Sequence, residues 1–286
     1  MKKITYFIEF IFIKIFFYIC KLLGYKISSS FGFFIGTTFG NLFRSKSSIV
    51  QNLKKSKIQI EMTEDSFAKN VLGNYGRILA EYPFLKDFRN NSLSEFIEID
   101  GIENLEKVKQ IKKPVVFISG HFSNFELMAM YIEKSGINLA TIYRPLNNIF
   151  LNKSMEYIRT NYICRNQIKK GRSGTRKILE NLKKGNSIAL MIDQRVTEGI
   201  KINFFGDLAS TTTIPAQIIK KYKCDLVPIY IERKRKHFFK LFVSSPISIN
   251  PEKSQKDISI HLNKILEKMI LKNPDQWIWT HDRWKK

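Results

Sequence analysis

Acidic residues are scarce in this chain. It carries 25 Asp and Glu against 48 Lys and Arg over 286 residues, a formal net charge of +23. That imbalance excludes an electrically neutral surface and implies an anionic partner: nucleic acid, an acidic membrane surface or a phosphorylated substrate. Lys, Ile, Asn and Phe are abundant together, so part of the excess belongs to a compositional bias. Cysteine is rarer still. Cys20, Cys164 and Cys224 form no close pair. An odd count without C-x-x-C spacing excludes a disulfide framework and fits reduced thiols in a cytoplasmic setting. No plausible base flanks any of them, so they read as small apolar residues. There are four histidines, and His121 has no second histidine at ligand spacing, which speaks against a metal site. No G-x-S-x-G and no glycine-rich phosphate loop occur, leaving a serine acyl-enzyme unsupported. No repeat or low-complexity linker follows residue 60.

What is present begins at the N-terminus. Residues 4–23 are almost continuously apolar and aromatic, interrupted by Glu9, Lys14 and Lys21. No small-residue cleavage site follows, which argues against a cleaved signal peptide. Lys3, Lys14 and Lys21 fall on one helical face within roughly 20°. An apolar helix with one basic stripe suits a membrane interface. A full span would place Lys14 near mid-bilayer at about 2.5–3.5 kcal/mol on insertion scales. Segment 28–43 is also apolar, and Gly32, Gly36 and Gly40 form a ridge for close helix packing. Arg44, Lys46, Lys54, Lys55 and Lys57 follow as a basic juxtamembrane face. These signals predict a 1–43 membrane-anchoring helical segment and a 44–286 catalytic domain.

Beyond it, a helix is predicted over 62–82, opened by Thr63 and Glu64 and stopped by Pro83. Strand and helix signals then alternate. Strands are predicted at Val115–Ser119, Leu139–Tyr143, 187–192, 226–231 and Phe238–Val243. Helices are predicted over 123–134, 152–161, 175–184, 215–222 and 257–272. With 44% hydrophobic residues a large core is available. The alternation predicts an α/β fold with helices on both faces of a sheet. Ligands bind such sheets beyond the carboxyl ends of the strands. His121, Arg144 and Asp193 are the polar residues at those ends.

The most informative stretch is Pro114-Val-Val-Phe-Ile-Ser-Gly-His-Phe-Ser-Asn-Phe-Glu126. Its apolar run reads as a buried strand broken by Gly120, which puts His121 in the turn before a helix. Two readings fit equally. In one, His121 is a base and Glu126 the carboxylate that orients it. In the other, Ser123 and Glu126 form a capping box and His121 is a turn residue. Elsewhere, His281-Asp282 neighbours point apart in most backbones and read as structural. Trp277, Trp279 and Trp284 read as packing under the sheet in preference to an aromatic belt, and Arg233 to Lys236 as a solvated hairpin turn.

Gly120-His121-x4-Glu126 resembles the His-x4-Asp/Glu motif of glycerolipid acyltransferases. The surrounding pattern is similar to that of the late (lauroyl/myristoyl) acyltransferases of lipid A biosynthesis. It includes Asn74-Tyr-Gly-Arg77 with Glu81, Tyr143-Arg-Pro-Leu-Asn-Asn148, Leu182-Lys-Lys-Gly185, Asp193-Gln194 and Trp279-Thr-His281-x-Arg283-Trp284, in order over nearly the whole chain. The resemblance favours the catalytic reading of His121 and Glu126. It implies a glycerol-3-phosphate acyltransferase-like mixed sheet flanked by helices, with N-terminal membrane-anchoring helices. It implies an enzyme at the cytoplasmic face of the inner membrane, without cofactor or metal and without a nucleic-acid partner. Such an enzyme moves a fatty acyl chain from acyl carrier protein to a hydroxyl of a phosphorylated glucosamine lipid. His121 is then the general base and Glu126 its orienting partner. Arg144, Asn147, Asn148, Arg159 and Asp193 are substrate-binding, with Arg165 the alternative to Arg159. Ile214 stands where the family often has Gly before Pro-Ala. Two other functions compete: acylation of a lysophospholipid or another glycolipid, and a non-enzymatic, membrane-attached protein that binds anions.

Overall fold

Val115–Ser119 is buried at all five positions, as an unbroken apolar run requires of a strand covered on both faces. The computed structural model describes residues 2–250 and 252–285. Five helices come first: α1 (Lys2–Leu23), α2 (Tyr25–Phe43), α3 (Lys46–Ser56), α4 (Glu64–Glu81) and α5 (Leu85–Arg89). Then come β1 (Ile97–Asp100), α6 (Ile102–Gln110), β2 (Val115–Ser119), α7 (Glu126–Lys134), β3 (Leu139–Tyr143) and α8 (Ile149–Ile158). A π-helical turn, Arg159–Ile163, leads to β4 (Asn166–Lys169), α9 (Arg172–Lys183) and β5 (Ser187–Met191). The remainder is β6 (Ile200–Phe204), β7 (Asp207–Thr211), α10 (Ile214–Tyr222), β8 (Asp225–Arg235), β9 (Phe238–Val243) and α11 (Gln255–Lys272).

Seven strands form one sheet in the order β1-β9-β8-β2-β5-β3-β4, while β6 and β7 pair apart. The five strands from β8 to β4 run parallel. β9 turns back antiparallel on β8, and β1 follows β9. The mixed α/β sheet flanked by helices is therefore as the sequence predicts. Going from β2 to β3 and from β4 to β5 crosses the sheet in opposite directions. Right-handed crossovers then put α7 and α9 on opposite faces.

The glycine ridge of α2 is a packing seam. A Cβ at Gly32 would lie 2.4 Å from the Gly76 carbonyl oxygen, and one at Gly36 would lie 2.3 Å from that of Leu72. In return, a Cβ at Gly76 would lie 1.9 Å from the Gly32 oxygen. Only glycine lets α2 and α4 approach so closely. Ser29 also donates to Glu81 at 2.7 Å. The expected boundary at 43/44 is thus crossed by a tight helix pair.

Several expectations are corrected. No described helix is long and apolar enough to cross a membrane, so the spanning reading of 4–23 falls away. Lys21 of the basic stripe pairs with Asp87 at 2.5 Å, which takes up one of its three charges. The helix expected from residue 123 starts at Glu126. Ser123 adopts φ of 44° and its buried hydroxyl has no partner, so no capping box forms. Arg233 is buried, with its guanidinium 2.8 Å from Glu81, and is no solvated turn residue. Trp277, Trp279 and Trp284 are buried, in line with packing.

Candidate active site

His121 sits just past the carboxyl end of β2, where Gly120 ends the strand. A side chain at Gly120 has no room: its Cβ would lie 2.9 Å from the Phe122 ring and 3.2 Å from Asp193 Oδ2. β5 lies next to β2, and Ser119 is in register with Met191. Asp193 emerges two residues beyond, level with His121. The His121 ring Nδ1 lies 2.9 Å from Asp193 Oδ1, and the His121 backbone N–H donates to Oδ2 at 2.7 Å. The Trp277 indole N–H donates to the same Oδ2 at 2.9 Å. An ionised carboxylate only accepts hydrogen bonds, so Nδ1 carries a proton and Nε2 is left with its lone pair. Nε2 has no hydrogen-bond partner among the described residues. The Phe125 ring meets the imidazole edge-on with centroids 4.7 Å apart.

The electrostatics follow from burial and charge. Asp193 is fully buried. Burial alone would raise its pKa, but the attraction of His121 and three hydrogen bonds hold it below the ordinary carboxylate value. Burial lowers the pKa of His121, whose side chain is 19% exposed. The Asp193 charge and its hydrogen bond, with help from Glu126, more than offset this and hold the imidazole above its ordinary value.

The carboxylate that holds the His121 ring is therefore Asp193, where the sequence points to Glu126. Among the described residues no hydrogen bond joins Glu126 to His121. Instead Glu126 accepts from the Tyr82 hydroxyl and from Arg159, whose Nε and Nη2 lie 3.1 and 3.0 Å away. Five residues of separation turn the two side chains to different partners once the helix begins at Glu126. Arg159 opens the π-helical turn, a local irregularity frequent at functional sites. Burial disfavours its charge, yet Glu126 and Tyr82 raise its pKa overall. With Arg159 committed to Glu126, it is not a free phosphate contact.

The other expected residues divide. Arg144 and Asn147 are exposed and line a cavity of about 980 Å³. Asn148 does not. Its Oδ1 caps α8 by accepting from Phe150 and Leu151, and its Nδ2 donates to the Tyr6 carbonyl and to Glu9 on α1. All its capacity is spent on structure, so the substrate-binding role expected of it is withdrawn. Arg165 is exposed and lies outside the cavity lining. The sequence reading missed Trp277 as a ligand of Asp193. A buried indole N–H normally finds a partner, which is the signal that was available. His281 is structural, as expected: its Nε2 accepts from the Arg195 backbone N–H at 3.0 Å.

The cavity opens on His121, Glu126 and Arg159. Met128 and Ala129 of α7 line it, and so do Gly174 and Ile178 of α9. Since those helices cover opposite faces, it wraps the carboxyl edge of the sheet. Its volume is at the upper end for ligand sites. No group of His, Cys, Asp and Glu among the described residues could hold a metal ion. A histidine base with a buried carboxylate behind it, facing an apolar cavity, can deprotonate a hydroxyl.

A family model described as bacterial lipid A biosynthesis acyltransferase matches residues 1–286. The chain belongs to that family. Among curated relatives, the lipid A biosynthesis palmitoleoyltransferase of Escherichia coli (strain K12) is 24% identical over 264 residues, 88% of this chain and 84% of the relative. The lipid A biosynthesis lauroyltransferase of the same strain is 25% identical over 234 residues, 79% of this chain and 74% of the relative. Lipid A biosynthesis acyltransferase 2 of Shigella flexneri is 23% identical over 188 residues, covering 63% and 58%. The two transferases of Escherichia coli are named for different acyl groups. Membership in this acyltransferase family thus sets the reaction class and leaves the chain length open.

Proposed function

We propose that this acyltransferase moves a fatty acyl chain from an acyl carrier protein thioester to a hydroxyl of a phosphorylated glucosamine lipid. The observation that carries the reading is the His121–Asp193 pair opening on a large apolar cavity. His121 Nε2 takes the hydroxyl proton as the oxygen attacks the thioester carbonyl. Asp193 stabilises the imidazolium that forms, as the aspartate of a catalytic triad does. The N-terminal turn of α7, which follows His121 in the chain, favours the oxyanion. Collapse breaks the carbon–sulfur bond, and the imidazolium proton goes to the departing thiolate. The net charge of +23 suits both an acidic carrier and a phosphorylated acceptor. Purified enzyme supplied with acyl carrier protein thioester and either a lipid A precursor or a lysophospholipid should acylate the precursor. Acylation of the lysophospholipid alone would remove this acceptor assignment.

The same reading places the enzyme on the cytoplasmic face of the inner membrane, held by α1 and α2. Ile4, Phe12, Ile15 and Leu22 of α1 are exposed, as are Ile27, Phe34, Leu42 and Phe43 of α2. A contiguous apolar face of this kind suits interfacial attachment. Deleting 1–43 would tear open the glycine seam, so surface replacement is the cleaner experiment. Phe12→Ser, Ile15→Ser and Leu22→Ser together should release the protein from anionic vesicles and leave its Tm nearly unchanged. Unaltered vesicle binding by the triple variant would place the attachment elsewhere.

A further inference from the structure

The five cations between residues 44 and 57 have unequal surroundings. Lys46 pairs with Asp65, Lys54 with Glu64 at 3.2 Å, Lys55 with Asp282 at 3.5 Å and Lys57 with Asp207 at 3.7 Å. Among the described residues Arg44 alone of the five has no carboxylate partner, and it alone of the five lines the large cavity. It ends α2, with its backbone N–H on the Gly40 carbonyl. Its guanidinium lies 5.8 Å from the centre of the Tyr75 ring. Tyr75 is itself fixed by a 2.7 Å hydrogen bond to Thr280 and shares a small cavity with His121.

The charge balance of the cavity explains why this matters. Its lining contains the cations Arg44, Arg144, Arg159 and Lys170, and Glu126 as the one carboxylate among the described residues. Glu126 is taken by Arg159. Arg44, Arg144 and Lys170 thus leave uncompensated positive charge around an apolar hollow. They come from different parts of the fold. Lys170 donates its backbone N–H to the Tyr143 carbonyl, next to Arg144, so these two share the β3–β4 edge. Strand spacing puts β3 and β4 roughly 10 and 14 Å from β2 and its His121. Arg44 enters from the helical layer instead.

We propose that Arg44 binds a phosphate oxyanion of a substrate, at a position separate from the Arg144–Lys170 edge. An arginine perched on an aromatic face keeps a planar fork free for phosphate oxygens. A ligand with a phosphate head and a hydrocarbon tail matches this arrangement of charge and apolar surface. The inference rests on the function proposed above for which substrate carries the phosphate, the acceptor lipid or the phosphodiester arm of the carrier.

The first test needs no turnover. Full-length protein is titrated with dodecyl phosphate and with uncharged dodecyl maltoside, following tryptophan fluorescence. Arg44→Gln should weaken dodecyl phosphate about tenfold or more, leave the maltoside unchanged, and be partly rescued by Arg44→Lys. Equal weakening of both probes, or of neither, overturns the assignment. Acylation assays then identify the source. A KM increase confined to the phosphorylated acceptor, against its dephosphorylated form, assigns the acceptor. One confined to the carrier thioester, against a pantetheine thioester lacking phosphate, assigns the donor. Wild-type protein that acylates no acceptor would overturn the proposed function, and the alkyl phosphate comparison would still judge Arg44.

Discussion

Replacing His121 by Ala is expected to lower kcat on the order of 10²–10⁴-fold, the usual contribution of a general base. KM should move far less, because the ring makes its decisive contact only as the hydroxyl loses its proton. The substitution also removes one donor from Asp193, which keeps the His121 backbone N–H and the Trp277 indole. The stability loss is therefore modest, about 1–2 kcal/mol, and largest at acid pH. A group whose pKa is raised in the folded state stabilises fully below its unfolded value, near 6.5. That contribution fades as pH rises through the folded value. Activity has the opposite dependence, since the base must be neutral. The acid limb of kcat/KM should lie above 6.5. Near-normal turnover by purified His121→Ala enzyme would end the mechanism.

The second large effect separates the two carboxylates. Asp193→Asn should lower kcat severely; neutralising the aspartate of a serine-protease triad costs about 10⁴-fold. It should also shift the acid limb. Without the Asp193 charge, burial dominates and the His121 pKa falls, so the limb moves to lower pH. Glu126→Gln should move the limb in the same direction but by less, because Glu126 is the lesser of the two charges that raise the His121 pKa. Its expected signature is lost stability, about 3–5 kcal/mol, because Arg159 would be left without its partner in a nearly buried site. Urea unfolding and pH–rate profiles of the two variants check both statements. A larger limb shift on Glu126→Gln than on Asp193→Asn would restore the orienting role to Glu126.

That exchange of roles shows where the sequence is readable and where it is not. Val115–Ser119, Leu139–Tyr143 and Phe238–Val243 have the bounds that their apolar runs predict. A buried strand leaves such a run, and Gly120 marks its end. β1, Ile-Glu-Ile-Asp, and β4, Asn-Gln-Ile-Lys, went unread. Both are short edge strands with polar residues facing solvent, which resemble loops. The histidine at the strand end was legible from the break at Gly120. Its partner was not, because strand order, and not chain distance, puts β5 beside β2. Glu126 is near in sequence and Asp193 is 72 residues away. Asn148 shows the limit of matching a motif by residue type, since its amide is consumed by a helix cap and by α1. The four-residue spacing of Gly32, Gly36 and Gly40 marks a close-packing ridge, but nothing in the sequence marks Gly73 and Gly76 as its partners.

The distances along the chain also set an order of events during synthesis. Gly32 meets Gly76 after only 44 intervening steps, so the α2–α4 seam can close while the nascent chain is short. His121 waits 72 residues for Asp193, and Asp193 waits 84 more for Trp277. At roughly 5–20 residues per second, that last interval is about 4–17 s of translation. Asn52 then reaches 227 residues forward to hold the Trp279 carbonyl. Contacts of such long separation close slowly. The α2–α4 helix pair therefore forms well before the His121–Asp193–Trp277 cluster is assembled.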